Sequence, residues 1–165
     1  RIIDNGKKIG VKKIIIPLVD NSSLKNLDEE NNLIKELKII SKKFPSMYFL
    51  FESDFKPKKL LKFIQRFKNK KFGINYDTGN SAGLNYDFEK EKIYFKYVHN
   101  IHIKDRMKKS TTTRLGNGNW NYRKFFIYIK KKKYLGNFIL QTARSLKKIM
   151  LMKYCSIKIS LKKII

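Results

Sequence analysis

Short apolar stretches alternate with amphipathic stretches along residues 12–144, and each apolar stretch ends in polar residues. The apolar stretches are rich in β-branched and aromatic residues, which predicts strands at 12–19, 47–51, 72–76, 98–103 and 137–140. The amphipathic stretches carry apolar residues at helical spacing, which predicts helices at 27–44, 57–67, 88–97 and 122–133. Strands that alternate with helices are typical of a parallel sheet, either doubly wound or closed into a barrel.

Successive strand ends lie about 25 to 40 residues apart, which is the length of one strand, loop and helix unit. Polar side chains recur at these ends, and this favours the active face of a barrel over the single crevice of an open sheet. We therefore predict an α/β fold of the (β/α)8 TIM barrel type. Such a barrel takes about 250 residues, so five units in 165 residues indicate its last five units, with roughly three N-terminal units absent.

We expect residues 1–144 to be the C-terminal part of this barrel, in a chain long enough to bury a core. Residues 145–165 lack a clear period and are either a terminal helix or an aberrant segment. An incomplete barrel has exposed sheet edges and an unfinished pocket. Weak stability or aggregation of the isolated chain is therefore expected, and an inactive fragment is one interpretation.

The chain is strongly basic, with a formal net charge of +26 and 33 Lys among its 39 basic residues. Such a charge is typical of proteins that bind nucleic acid or anionic membranes. However, 22 Ile and 14 Asn accompany the Lys, and all three residue types have A/T-rich codons. Biased base composition explains the charge without a binding surface, so we expect no membrane partner and do not favour nucleic acid.

Cys155 is the single cysteine, which excludes a disulfide framework within the chain and a Cys-x-x-Cys metal site. A lone cysteine fits a reducing compartment. No apolar run approaches the roughly 18 residues of a membrane span. We therefore expect a cytoplasmic protein.

Three residues with metal-binding side chains lie at the ends of consecutive strands: Glu52, Asp77 and His102. A mixed oxygen and nitrogen set suits Mn²⁺, Co²⁺, Mg²⁺ or Zn²⁺ and leaves positions for substrate oxygens. A structural role stays open for each, because a strand-end Asp often caps the following helix. His99 points to the opposite face from His102, because side chains alternate along a strand, so we expect His99 to face the helices.

Six short motifs follow one another along the chain: IPLVDNSS at 16–23, FESD at 51–54, NYDTGN at 75–80, IHIKDR at 101–106, LGNGN at 115–119 and FILQTAR at 138–144. As an ordered set they resemble the sugar-phosphate isomerase/epimerase group of xylose-isomerase-like TIM barrels. The resemblance covers residues 10–144.

The resemblance implies a divalent metal held by four strand-end residues, which in this chain are Glu52, Asp77, His102 and Gln141. The fourth is usually a glutamate, and the amide oxygen of Gln141 can coordinate a metal but cannot take a proton. The implied chemistry is isomerisation or epimerisation of a sugar or sugar phosphate: the metal polarises the carbonyl, a carboxylate abstracts the α-proton and an enediolate forms. Glu52 is the evident base, which favours an aldose–ketose isomerisation on one face, or a 3-epimerisation whose second base lies elsewhere.

Lys104, Arg106 and Arg144 are candidates for contacts with substrate oxygens or phosphate, with an ordinary surface charge as the alternative for each. The loop that carries Gly116 and Gly118 would also let backbone amides approach an anion. The expected partner is a small sugar or sugar phosphate of carbohydrate metabolism, and homo-oligomer formation is left open.

A second interpretation is a metal-dependent nuclease. Enzymes that resemble abasic-site endonucleases occur in the same superfamily and use several metals and many histidines. This chain has two histidines, so we rank the isomerase first.

Overall fold

The computed structural model describes residues 1–141. Its strands are β1 (Lys13–Leu18), β2 (Tyr48–Ser53), β3 (Phe72–Asp77), β4 (Val98–Ile103), β5 (Asp105–Arg106), β6 (Thr112–Thr113) and β7 (Asn137–Leu140). Five of them form one sheet in the order β1-β2-β3-β4-β7, and β5 pairs with β6 in a separate antiparallel ribbon. β1 pairs in parallel with β2, and β2 pairs in parallel with β3. The five predicted strands are therefore present, each within two residues of its predicted bounds.

The helices are α1 (Ile2–Lys8), α2 (Leu27–Lys43), α3 (Pro57–Gln65), α4 (Thr78–Gly83), α5 (Phe88–Glu91) and α6 (Tyr122–Lys131), with 3₁₀ turns at Asp20–Ser22 and Lys92–Tyr97. α2 begins after Asn26, whose side chain accepts a hydrogen bond from the N–H of Glu29, as an N-cap should. α3 begins with Pro57, which has no N–H to leave unpaired in the first turn. Strand and helix alternate as predicted, and the α/β prediction is confirmed.

The described chain divides into two compact units. The first comprises Arg1–Tyr76 and Glu89–Asn100, and the second comprises Asp77–Phe88 and the chain from Ile101 onward. The core of the first is a cluster of aromatic rings between β2, β3 and α3, contributed by Phe51, Phe63, Phe67 and Phe72. In the second, the rings of Phe88, Trp120 and Phe125 pack edge to face. Phe51 directly precedes Glu52 in β2, so the first cluster lies next to one of the polar strand-end residues.

Two segments differ from the sequence-based expectation. α4 was not predicted, because its residues TGNSAG show no apolar period; it starts where the side chain of Asp77 caps it. The predicted helix at 88–97 is instead the short α5 followed by a 3₁₀ turn. The buried carboxylate of Glu91 accepts hydrogen bonds from the hydroxyls of Tyr76 and Tyr94, each at 2.8 Å. A 3₁₀ turn aligns residues three apart, which suits the pairing of Glu91 with Tyr94.

No helix within residues 1–141 combines the length and the apolar character needed to cross a membrane.

Candidate metal centre

Asp77 is the last residue of β3, and its two carboxylate oxygens have different surroundings. Oδ1 accepts a hydrogen bond of 2.8 Å from the backbone N–H of Asn80 and so caps α4. Oδ2 is buried and has no hydrogen-bond partner among the described residues. The residue as a whole is only 4% exposed. A buried carboxylate oxygen without a partner is costly to keep, so a cation at Oδ2 would remove a real penalty.

Two cationic or potentially cationic side chains approach that oxygen. Nδ1 of His102, at the end of β4, lies 3.8 Å from Asp77 Oδ2. Nζ of Lys104 lies 3.9 Å from the same atom. Both distances exceed that of a normal hydrogen bond. The Lys104 ammonium attracts the carboxylate electrostatically, whereas His102 does so only when it is protonated. His102 is 5% exposed, so its imidazole and the Asp77 carboxylate are both held away from water.

The position of Lys104 is set by its backbone and by a glycine. The Thr78 hydroxyl donates to the Lys104 carbonyl at 2.5 Å and accepts from the Lys104 N–H at 2.8 Å. The hydroxyl of Tyr122 donates to the same carbonyl at 2.9 Å. A Cβ on Gly79 would lie 2.7 Å from Cγ of Lys104, so only glycine leaves room for the Lys104 stem. Burial, followed by the nearby charge of Asp105, raises the pKa of Tyr122, which keeps this hydroxyl a donor.

Glu52 lies in β2, and its carboxylate is held by the neighbouring strands. Oε2 accepts a hydrogen bond of 2.8 Å from the side-chain amide of Asn75 in β3. The carbonyl oxygen of that amide accepts a 2.5 Å hydrogen bond from the side chain of Asn100 in β4. Asn75 was not singled out from the sequence. The sequence does place Asn75 two residues before Asp77, and therefore on the same face of the strand, which could have identified it.

The structure brings Glu52, Asp77 and His102 together. One ligand atom from each lies within 4.8 Å of the others, and this is the single group of three or more such side chains found among residues 1–141. A metal at about 2.0–2.2 Å from each of its ligands holds those ligands at most roughly 4.4 Å apart. The 4.8 Å limit is close to that spacing, and two carboxylates and an imidazole with one unpartnered oxygen fit a divalent cation.

His99 is not part of this group. It lines a cavity of about 580 Å³ together with Ile64 and Gln65 at the C-terminal end of α3. Its ring also packs edge to face on Tyr48, with 5.8 Å between centroids. Burial, and then the charge of Lys13, lower the pKa of His99 and favour the neutral imidazole. These contacts place His99 on the helix side of β4, as the strand alternation predicts.

The remaining predicted site residues have separate positions. The N–H of Gln141, directly after β7, donates to the carbonyl of Ile103 at 2.9 Å, so Gln141 lies beside the end of β4. The guanidinium of Arg106 donates to the Ser110 carbonyl at 2.9 Å and so holds the chain that follows β5. Arg144 lies outside the described residues.

The glycine-containing loop binds an anion, and that anion belongs to the chain itself. Oδ2 of Asp105 accepts hydrogen bonds from the N–H groups of Gly116 and Gly118 at 3.0 and 2.9 Å. Oδ1 accepts one from the N–H of Trp120 at 3.3 Å. A Cβ on Gly118 would lie 2.1 Å from Oδ1 of Asp105. These two loop amides are therefore used by Asp105, which is fully buried.

A family model described as xylose isomerase-like TIM barrel matches residues 3–150 of the chain. No curated protein matches the chain at a significant level. Among solved structures, the xylose isomerase domain protein from Planctomyces limnophilus superposes with a TM-score of 0.80 at 19% identity, covering 99% of this chain and 63% of that one.

Two further structures are similar. The IOLI protein with a bound zinc atom has a TM-score of 0.78 at 14% identity and covers 99% of this chain and 66% of its own. An L-ribulose 3-epimerase has a TM-score of 0.74 at 14% identity, with 98% and 65% covered. At such identities the likeness is one of fold. The chain spans about two-thirds or less of the length of these proteins, so the sheet is part of a barrel.

Proposed function

Because this chain belongs to the xylose isomerase-like TIM barrel family, we propose that it carries the metal centre of a sugar or sugar-phosphate isomerase or epimerase. The observation that carries the proposal is the buried Oδ2 of Asp77, which has no hydrogen-bond partner among the described residues and lies in one group with Glu52 and His102. One similar solved structure contains a zinc atom, which supports a metal centre. Another is an L-ribulose 3-epimerase, which supports a sugar substrate.

Glu52, Asp77 and His102 would hold a Mn²⁺, Co²⁺, Mg²⁺ or Zn²⁺ ion, with Gln141 as the fourth ligand through its amide oxygen. When bound, the ion supplies Lewis acidity to a substrate carbonyl. Gln141 follows the strand next to β4, which supports its place in the set.

Glu52 takes the α-proton of the substrate in this proposal, because it is the one proton-accepting carboxylate of the group that does not cap a helix. In the proposal Lys104 contacts substrate hydroxyls or a phosphate; its Nζ lies 3.9 Å from Asp77 Oδ2, and its backbone is hydrogen-bonded to Thr78 and Tyr122. Arg106 and Arg144 are further candidates for that contact. Abstraction of the proton leaves an enediolate, from which the product forms by return of the proton.

The proposed substrate is therefore a small sugar with a carbonyl next to a C–H bond that bears a hydroxyl. Isomerisation on one face needs a single base and fits Glu52 beside Gln141. A homo-oligomer and a cytoplasmic location remain predictions.

The test is solvent exchange with defined metal content. The chain is stripped with EDTA, reloaded with Mn²⁺ or Co²⁺ and incubated in D₂O with a panel of ketoses and ketose phosphates, and loss of the α-proton signal is followed by NMR. We expect exchange that requires metal, disappears in Glu52→Gln and persists in His99→Ala. The ligand assignment is wrong if Asp77→Asn and His102→Ala bind metal as the wild type does. The chemistry is wrong if the metal-loaded wild type exchanges no proton with any substrate of the panel.

A further inference from the structure

Two buried asparagines connect Glu52 to the interior of the first unit. Asn75 and Asn100 are each 2% exposed, and neither is a member of the ligand group. They form a continuous chain of side-chain hydrogen bonds across three strands: Asn100 donates to Asn75 at 2.5 Å, and Asn75 donates to Glu52 at 2.8 Å. Each lies two residues before a proposed ligand on its own strand, so the chain runs one layer beneath the metal centre.

The chemistry of the three groups fixes the direction of this chain. An ionised carboxylate only accepts hydrogen bonds, so Asn75 must present its NH₂ group to Oε2 of Glu52. Its carbonyl oxygen is then turned towards β4, where it needs a donor. Asn100 supplies that donor. A reversed amide at Asn75 would set its oxygen against the carboxylate and leave two buried NH₂ groups facing one another, and buried polar groups without partners are costly.

A carboxylate in a metal site must also present a defined oxygen to the cation. One oxygen of Glu52 is occupied by Asn75, and this contact limits rotation of the carboxylate about its last bond. Outer partners of this kind orient ligands, and their loss costs roughly 10–100-fold in metal affinity. Asn100 does not touch Glu52 in this chain of bonds; it acts on the amide of Asn75.

We propose that Asn75 and Asn100 are positioning residues for Glu52: Asn75 holds Oε2, Asn100 fixes the orientation of the Asn75 amide, and the carboxylate is thereby kept in the one orientation that serves the metal centre. This inference rests on the proposed function. The new element is that two residues outside the ligand set act in sequence: Asn100 orients Asn75, and Asn75 orients Glu52.

Mn²⁺ affinity, measured by titration calorimetry on the whole chain, tests this order. Asn75→Leu removes the donor to Glu52 and is expected to weaken Mn²⁺ binding roughly 10–100-fold. Asn100→Asp replaces the donor to Asn75 by an acceptor, inverts the Asn75 amide and is expected to weaken binding similarly. In the double variant the loss should be no larger than in Asn75→Leu alone, because Asn100 acts through Asn75. Asn69→Asp, which adds the same charge in the loop before β3, is the matched control and should bind as the wild type does.

Each outcome decides the matter. Single variants that bind Mn²⁺ as tightly as the wild type overturn the positioning role and leave the metal centre intact, and so do losses that multiply in the double variant. A wild type that binds no Mn²⁺ removes the proposed function and this inference with it.

A second measurement covers variants that do not fold, as judged by circular dichroism. In the wild type with ¹⁵N-labelled asparagine, the side-chain NH₂ signals of Asn75 and Asn100 should both shift on addition of Zn²⁺, whereas that of Asn69 should not. An unchanged Asn75 signal at saturating Zn²⁺ overturns the proposal.

Discussion

Oδ2 of Asp77 lies 3.8 Å from Nδ1 of His102 while Oδ1 of the same carboxylate caps helix α4. One side chain thus serves the fold with one oxygen and faces the candidate metal centre with the other. A strand-end aspartate can cap a helix or bind a metal, and this geometry allows Asp77 to do both. The two roles can also be separated by mutation.

Asp77→Asn and Asp77→Ala should differ in stability and agree in metal binding. Asn keeps an oxygen that can cap α4, whereas Ala does not, so without metal the Ala variant should be less stable than the Asn variant by about 0.5–2 kcal/mol. Both lose the charge at Oδ2 and should bind Mn²⁺ at least roughly tenfold more weakly. Urea denaturation in EDTA and calorimetry measure the two effects. Equal stability of the two variants would show that the cap contributes little.

The stability of the folded chain should depend on pH through His99. Burial and the charge of Lys13 lower the pKa of His99, so the folded state binds a proton less readily than the unfolded chain, whose histidine has a pKa near 6.5. The unfolded state therefore holds more protons at low pH. The contribution of the neutral imidazole to the free energy of unfolding is complete above about pH 6.5. It is lost progressively as the pH falls below that value.

His99→Gln should flatten this dependence. Urea midpoints measured between pH 7.5 and 5.5 are expected to fall less for the variant than for the wild type. The comparison isolates His99, because His102 and the carboxylates are common to both proteins. Identical slopes would mean that His99 titrates alike in the folded and unfolded states.

Gly79→Ala tests whether the side chain of Lys104 is confined. The new Cβ would lie 2.7 Å from Cγ of Lys104, and the near part of that stem cannot move without changing its first torsion. We expect Gly79→Ala to destabilise the wild type although alanine is the better helix former. In a Lys104→Ala background the contacts with Cγ and Cδ are gone and only the 3.0 Å contact with the Cβ at position 104 remains, so the same substitution should cost less than it does in the wild type. A double-mutant cycle by thermal denaturation measures the difference, and additive effects would contradict the confinement.

Asp105→Asn tests the anchored loop. The carboxylate accepts hydrogen bonds from four backbone amides, those of Arg106, Gly116, Gly118 and Trp120, and hydrogen bonds to a charged group contribute about 1.5–3 kcal/mol. The neutral variant should lose stability of that order, because the side-chain NH₂ of the new asparagine would face backbone N–H groups that need an acceptor. Asp28→Asn, at an exposed position in the first turn of α2, is the control and should cost less than about 1 kcal/mol. A loss no larger than that of the control would contradict the anchoring role.

Strand positions and the residues at strand ends were predictable, because a parallel sheet buried on both sides demands continuous apolar runs followed by polar residues. The opposite directions of His99 and His102 followed from strand alternation alone. α4 was not predictable from an apolar period, because it has none. The side chain of Asp77 caps its start, and Gly79 leaves room beside it for the side chain of Lys104. The Asn75–Asn100 pair was also missed, because a buried asparagine is recognisable only when its partners on other strands are known.

The loop at Gly116 and Gly118 has a consequence for specificity. A loop whose amides are already hydrogen-bonded to Asp105 is ordered when the chain folds, so binding of the proposed sugar would incur no ordering cost there. For the same reason, those two amides offer no cradle to a phosphate. In the proposed function, discrimination between a free sugar and its phosphate would then depend on cationic side chains such as Lys104, and single substitutions there should change it while leaving the loop untouched.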